Sequence, residues 1–255
     1  MFREEYNAVC NAAAAKVALL KNNPLGYFVL SMLAGIYVGF GILLIFTIGG
    51  MMTGNPYAKI VMGAAFGIAL SLVVMAGAEL FTGNNFVMTA GVLKKKVTLV
   101  DTLKLWFICY IGNLVGSILI GVIYNLTGLN AGNVAEFIAS TSATKMSIPA
   151  MQLFTRGILC NMLVCLAIWC ATKCKSESGK LIMIFWCLFA FITTGFEHSV
   201  ANMTLLAVGI LNPVGQAVTI GGYIYNLVVV SLGNMFGGIL MVAIPYFLAS
   251  KEKEV

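Results

Sequence analysis

The sequence predicts an all-α integral membrane protein of six transmembrane spans, arranged as two inverted three-span repeats with the second and fifth spans broken. Three observations predict it. The first is composition: 60% of the 255 residues are hydrophobic and 9% are charged, against roughly 25% charge in soluble domains. The second is segmentation. Residues 25–48, 60–93, 105–126, 148–172, 181–211 and 222–248 form apolar runs, and each reaches the roughly 20 residues needed to cross a bilayer. The third is recurrence, because GAELFTGNN (Gly77 to Asn85) and FEHSVANM (Phe196 to Met203) each carry a mid-run glutamate followed by an asparagine, Glu79 with Asn84 and Glu197 with Asn202.

Taken in order, residues 1–24 open with acids and lack the short apolar core of a cleavable signal peptide. Tyr6 to Lys21 read as an amphipathic helix with Val9, Ala13, Val17 and Leu20 on one face and Glu4 and Glu5 at its positive end. It is expected to lie at the cytoplasmic interface, with membrane lipid as its partner and a gating element as the rival reading, and to stop at Asn22, Asn23 and Pro24. The first repeat is placed at 25–126 and the second at 148–249, with an outer loop of polar cover at 127–147 and a cytoplasmic tail at 250–255. Gly35/Gly39, Gly63/Gly67, Gly112/Gly116 and Gly233/Gly237 have the small-xxx-small spacing of close helix packing.

The repeats are anchored at three places. Gly39 and Gly157 stand equally far before Glu79 and Glu197, and GNLVGSI (Gly112 to Ile118) matches GNMFGGI (Gly233 to Ile239). An odd number of spans per repeat makes the second enter the membrane in the opposite sense. Spans 60–93 and 181–211 are longer than a straight helix needs. Breaks are expected near Gly77, Gly83 and Gly195, since irregular backbone is tolerated at this depth only where it is buried or lines a cavity. Two facing half-helices then frame one site at the centre of each subunit.

The net charge of +6 reports orientation here, and no nucleic-acid partner is expected. Twelve of the fifteen Lys and Arg residues fall in the N-terminus, the second loop, the fourth loop and the C-terminus, leaving Lys59, Lys145 and Arg156 for the other face. Both termini are therefore predicted to be cytoplasmic. The seven cysteines form no C-x-x-C pair, and His198 is the only histidine. Free cysteines pack as small hydrophobes, and one imidazole cannot supply a bis-histidine haem or a typical zinc site, so no metal and no cofactor is expected.

His198 is the candidate centre. Ionisable groups at mid-membrane depth are expensive and mark function, and an imidazolium in a dry pore is disfavoured unless an anion or carboxylate sits close. A histidine merely satisfied by hydrogen bonds is the bland alternative. Glu79 and Glu197 read as acceptors for the free amides of a broken helix, with a proton relay as the rival reading; Asn84 and Asn202 read the same way. Lys145 can be a solvated lysine, and Asn161 can simply bridge helices.

With these residues in view, the chain resembles the formate/nitrite transporter family of bacterial inner-membrane channels for small monovalent anions. The resemblance covers nearly the whole length and is carried by AELFTGN (Ala78 to Asn84), GFEHSVANM (Gly195 to Met203), the paired G-N-x-x-G anchors, and Lys145 with Asn161. It implies an aquaporin-like subunit in a homopentamer with one pore per protomer. It also implies a cytoplasmic-side constriction of Leu70, Leu80 and Phe191, an outer constriction of Phe66, Phe81 and Val164, and His198 with Thr82 between them. Lys145 and Asn161 are implied to draw anions into the outer vestibule. The pore motif does not separate formate, nitrite and hydrosulfide types, and the short-tailed chain, rich in cysteine and lysine, inclines the reading to hydrosulfide.

A full charge crossing rings of Leu and Phe would cost several kcal/mol. The expectation is therefore that the anion receives a proton at or through His198 and crosses as the weak acid. A second version keeps His198 as a hydrogen-bond donor to an anion that crosses charged. A neutral-solute channel is the rival within transport, with Asn55-Pro56 and Asn212-Pro213 as its weak support. A membrane redox subunit, or any enzyme, would want clustered ligands or a cofactor loop that the spans do not offer.

Overall fold

The structure, a computed structural model, describes residues 2–251, and among these there are helices and no strand. Helix α1 (Arg3–Asn22) leads into α2 (Pro24–Met51). Asn23 separates them and caps α2, its Oδ1 accepting from the Gly26 amide at 2.9 Å, while Pro24 occupies a first-turn position where no donor is lost.

The second apolar run does not form one rod. Helices α3 (Ala58–Ala65) and α4 (Ile68–Leu72) and a π-helical turn (Val73–Gly77) carry it inward, the chain opens at Ala78 to Leu80, and α5 (Phe81–Leu93) resumes. Gly77 sits at φ +81, a left-handed conformation that a Cβ would strain. After α6 (Leu99–Leu126), α7 (Gly132–Ser147) and α8 (Ala150–Lys173), the pattern returns. Helix α9 (Glu177–Thr194) ends at Gly195, φ +80, and α10 (Ser199–Leu211) begins after an extended His198. Helix α11 (Ile220–Gly238), a second π-helical turn (Ile239–Ala243) and α12 (Ile244–Ser250) complete the described chain.

Among the described residues, six helical stretches are long and apolar enough to cross a membrane: 24–51, 58–77, 99–126, 150–173, 177–194 and 220–250. Helices α5 and α10 have 13 residues each, about 20 Å at 1.5 Å per residue, and stop short of the roughly 30 Å of hydrocarbon. Around them α2 packs along α6 and α8 along α11. The backbones come so close that a Cβ on Gly116 would strike Met32 O, and one on Gly233 would strike Phe154 O.

Two expectations change. The stretch 127–147 is mostly helix, not loose cover: α7 buries Ala135, Ile138, Ala139, Ser142 and Met146 at helical spacing, and it packs on α2 and α10. Helix α1 is more than an interfacial cylinder, since the Tyr6 hydroxyl donates to Ala243 O at 3.3 Å and the Phe2 and Tyr6 rings meet Trp169 edge-on. Burial also pushes the Cys10 thiol of this helix up to about 11, and it donates to Ala90 O at 3.3 Å. Of the tail expected at 250–255, residues 252–255 lie outside the described residues.

Candidate pore and its central gap

Both helix breaks are held by the same device. Asn113 on α6 donates to Glu79 O (2.8 Å) and Ser31 O (2.7 Å) while its Oδ1 accepts from Phe81 N (2.9 Å). Asn234 on α11 donates to Glu197 O (3.0 Å) and Gly157 O (2.8 Å) while its Oδ1 accepts from Ser199 N (2.9 Å). Each asparagine thus satisfies, at both ends, backbone groups that the interruption frees, where unpaired groups would be costly. Neither residue was singled out from the sequence. The signal was present in the matching GNLVGSI and GNMFGGI, which anchor the repeat and the family resemblance without assigning the asparagines a role.

The two carboxylates are also matched. Glu79, Glu197, Asn84 and Asn202 do not take the freed backbone amides as expected, because Asn113 and Asn234 already hold those and the four side chains bond other side chains. Glu79 Oε2 accepts from Asn84 Nδ2 (2.9 Å) and the Tyr27 hydroxyl (3.2 Å), and its Oε1 pairs with Lys16 at 2.6 Å. Glu197 Oε2 accepts from Asn202 Nδ2 at 2.7 Å and pairs with Lys145 at 2.6 Å. Asn202 reaches on to Asn226 at 2.8 Å, and Asn226 holds Lys145 O at 2.9 Å. Lys145 is therefore ion-paired, not solvated. Lys145→Met strands a carboxylate that is 3% exposed, and such stranding costs about 3–5 kcal/mol. The expected result is a clear fall in detergent-phase melting temperature, partly restored by adding Glu197→Gln.

Half-helices α5 and α10 meet N-terminus to N-terminus. His198 is the N-cap of α10: its Nδ1 accepts from Ala201 N at 3.1 Å, and its Nε2 lies 2.9 Å from Thr82 Oγ on the first turn of α5. An Nδ1 that accepts leaves Nε2 to carry the ring hydrogen, so the contact runs from Nε2–H to Thr82. The Phe191 ring stacks on the imidazole at 6.0 Å. Leu80 occupies the corresponding N-cap of α5 and supplies no capping group.

Two cavities approach this contact from opposite sides. One of 470 Å³ runs beneath α1 and is lined by Lys16, Glu79, Leu70, Leu80 and Asn84 among others. The other, of 300 Å³, runs beside α7 and is lined by Lys59, Lys145, Arg156, Glu197, Phe191 and His198 among others. Between them is a gap of 10 Å³ enclosed by Val38, Phe66, Leu70, Leu80, Val164, Leu188, Phe191 and His198, at the margin of what one water needs.

The expected constriction residues divide accordingly. Leu70 and Leu80 separate the α1-side cavity from the gap, whereas Phe191, expected with them, borders the gap and the α7-side cavity. Phe66 and Val164 line the gap. Phe81, expected beside those two, lines none of the three spaces and meets Tyr110 edge-on at 5.0 Å. Asn161 is not in the α7-side cavity: it is fully buried and donates to Asn234 O (2.6 Å), Thr82 O and Asn85 Oδ1 (3.2 Å each). Its amide bridges helices because three acceptors converge on it. Lys16, Tyr27, Lys59 and Arg156 enter the site without having been named as pore residues.

The model for "Formate/nitrite transporter" matches residues 3–248 of the chain. The nitrite transporter NirC of Salmonella typhimurium is 43% identical over 260 residues, covering 100% of this chain and 94% of that one. A solved structure described as an FNT family ion channel superposes with a TM-score of 0.93 at 40% identity, covering 97% of this chain and 99% of the other. A pentameric formate channel with formate bound superposes with a TM-score of 0.79 at 28% identity, covering 90% and 98%. The chain is thus a multi-pass membrane protein and belongs to the formate/nitrite transporter family.

Proposed function

We propose that the protein conducts small monovalent weak-acid anions, nitrite and formate foremost, through one pore in each protomer of a homopentamer in a bacterial inner membrane. The observation that carries this reading is a nearly closed apolar gap between two larger cavities, with His198 and Thr82 in contact beside it. The pentameric relative supports the assembly, and the Lys and Arg distribution supports cytoplasmic termini with the α1-side cavity facing inward. The matching networks of Asn113 and Asn234 support two inverted repeats. Asn55-Pro56 and Asn212-Pro213 line none of the three spaces, which removes the local support for a neutral-solute pore.

A gap that barely holds one water cannot hydrate an anion, so a charged species would pay a large desolvation cost, whereas its neutral acid would not. The same desolvation raises the pKa of an anion pressed against the apolar wall, favouring its protonation there. The Nδ1 contact with Ala201 favours a His198 that stays neutral, because an imidazolium would need a hydrogen where that bond now lies. In this version His198 holds Thr82, leaving the Thr82 hydroxyl hydrogen to donate to the passing acid, while the proton comes from solvent in the cavity.

Purified protein in liposomes containing a pH-sensitive dye tests the reading. Nitrite and formate should give protein-dependent, proton-linked flux that rises as external pH falls; hydrosulfide, acetate, glycerol and ammonium rank the selectivity. Flux of glycerol or water alone, with none for weak acids, would overturn it.

A further inference from the structure

Resting on that reading of function, we propose that Arg156, assisted by Lys59, captures the anion in the α7-side cavity. Three cations and one carboxylate line this cavity: Lys59, Lys145, Arg156 and Glu197. Lys145 is already neutralised, with Nζ 2.6 Å from a Glu197 oxygen that also accepts from Asn202. Among the described residues no carboxylate lies within ion-pair distance of Arg156 or Lys59. The opposite cavity carries one cation and one carboxylate, Lys16 and Glu79, and these pair with each other. Once the two matched pairs cancel, the positive excess stands on the α7 side alone.

Arg156 is built into the site. It is half-buried on α8, its carbonyl accepts from Glu197 N at 3.3 Å, and it directly precedes Gly157, whose carbonyl Asn234 holds. Its backbone is therefore fixed to the same break that positions His198. A guanidinium offers two parallel N–H donors to two oxygens on one atom, the shape of nitrite and formate, while hydrosulfide presents a single sulfur. Lys59 is exposed at the mouth and adds a mobile point charge that raises the local anion concentration.

The test compares wild type, Arg156→Gln, Arg156→Lys and Lys59→Gln in liposomes, measuring initial rates for nitrite and hydrosulfide over a range of salt, with melting temperature as the fold control. Arg156→Gln should raise KM for nitrite about tenfold, the worth of one charge-assisted contact, leave maximal flux near wild type, and flatten the salt dependence. Arg156→Lys should keep most of the salt dependence yet lose several-fold of the preference for nitrite over hydrosulfide. Lys59→Gln should raise the nitrite KM modestly at low salt and reduce the salt dependence. Wild-type KM and salt slope in Arg156→Gln would overturn the proposal, and an unchanged preference in Arg156→Lys would overturn its two-oxygen recognition. No nitrite flux in the wild type would overturn the proposed function itself, before any variant is compared.

Discussion

Asn234→Leu is expected to leave little folded channel in the membrane. The substitution conserves approximate volume but removes both donors and the acceptor that join Glu197 O, Gly157 O and Ser199 N. Gly157 O keeps its helical partner in α8, but Glu197 O and Ser199 N are left buried without one at about 1–3 kcal/mol each, a loss that reaches the lower end of the whole stability of many proteins, about 5–15 kcal/mol. Asn113→Leu should be milder, because Phe81 N loses its acceptor while Glu79 O keeps the Cys109 thiol and Ser31 O its helical partner. Size-exclusion profiles and melting temperatures of tagged variants in mild detergent give the readout. A monodisperse Asn234→Leu melting within a few degrees of wild type would refute this account of the breaks.

His198→Phe and His198→Asn should part company. Phenylalanine loses the α10 cap, worth about 1 kcal/mol, and the Thr82 contact, and the added bulk of its ring crowds a gap of 10 Å³. Nitrite flux should fall at least about tenfold, the equivalent of 1.4 kcal/mol on the barrier. Asparagine is a good N-cap with a donor to spare, so His198→Asn should fold, conduct at a reduced rate, and still respond to external pH. Loss of pH-dependent flux in a well-folded His198→Asn would instead assign the imidazole a direct part in proton transfer.

Much of this arrangement was legible in the sequence because lipid imposes strong rules. Composition set the class, run length marked spans 60–93 and 181–211 as too long, and Gly77 and Gly195 stood where the chain does turn left-handed, whereas Gly83, expected as a third break, lies inside α5. What the sequence hid were partners far apart along it. Lys16 and Glu79 are 63 residues apart, and Lys145 and Glu197 are 52 apart, and no periodicity announces such pairs. Helix α7 was hidden because its buried face is built largely from alanine and serine, whose weak hydropathy resembles polar cover. Arg156 was noticed only as a cation on the sparse face; its importance depends on its neighbours' charges cancelling, which is visible only in three dimensions.

The shortness of α5 and α10 bears on how the molecule is made. Every residue of α10 from Ser199 to Gly209 is buried by protein, so the bilayer does not serve as the solvent of that stretch in the finished subunit. A segment of about 20 Å also cannot sit across the hydrocarbon by itself. Its N-terminal amide finds its acceptor only on α11, which is synthesised later. Biogenesis must therefore have two stages: full-length spans are threaded first, and the half-helices are drawn in as their flanking spans close around them.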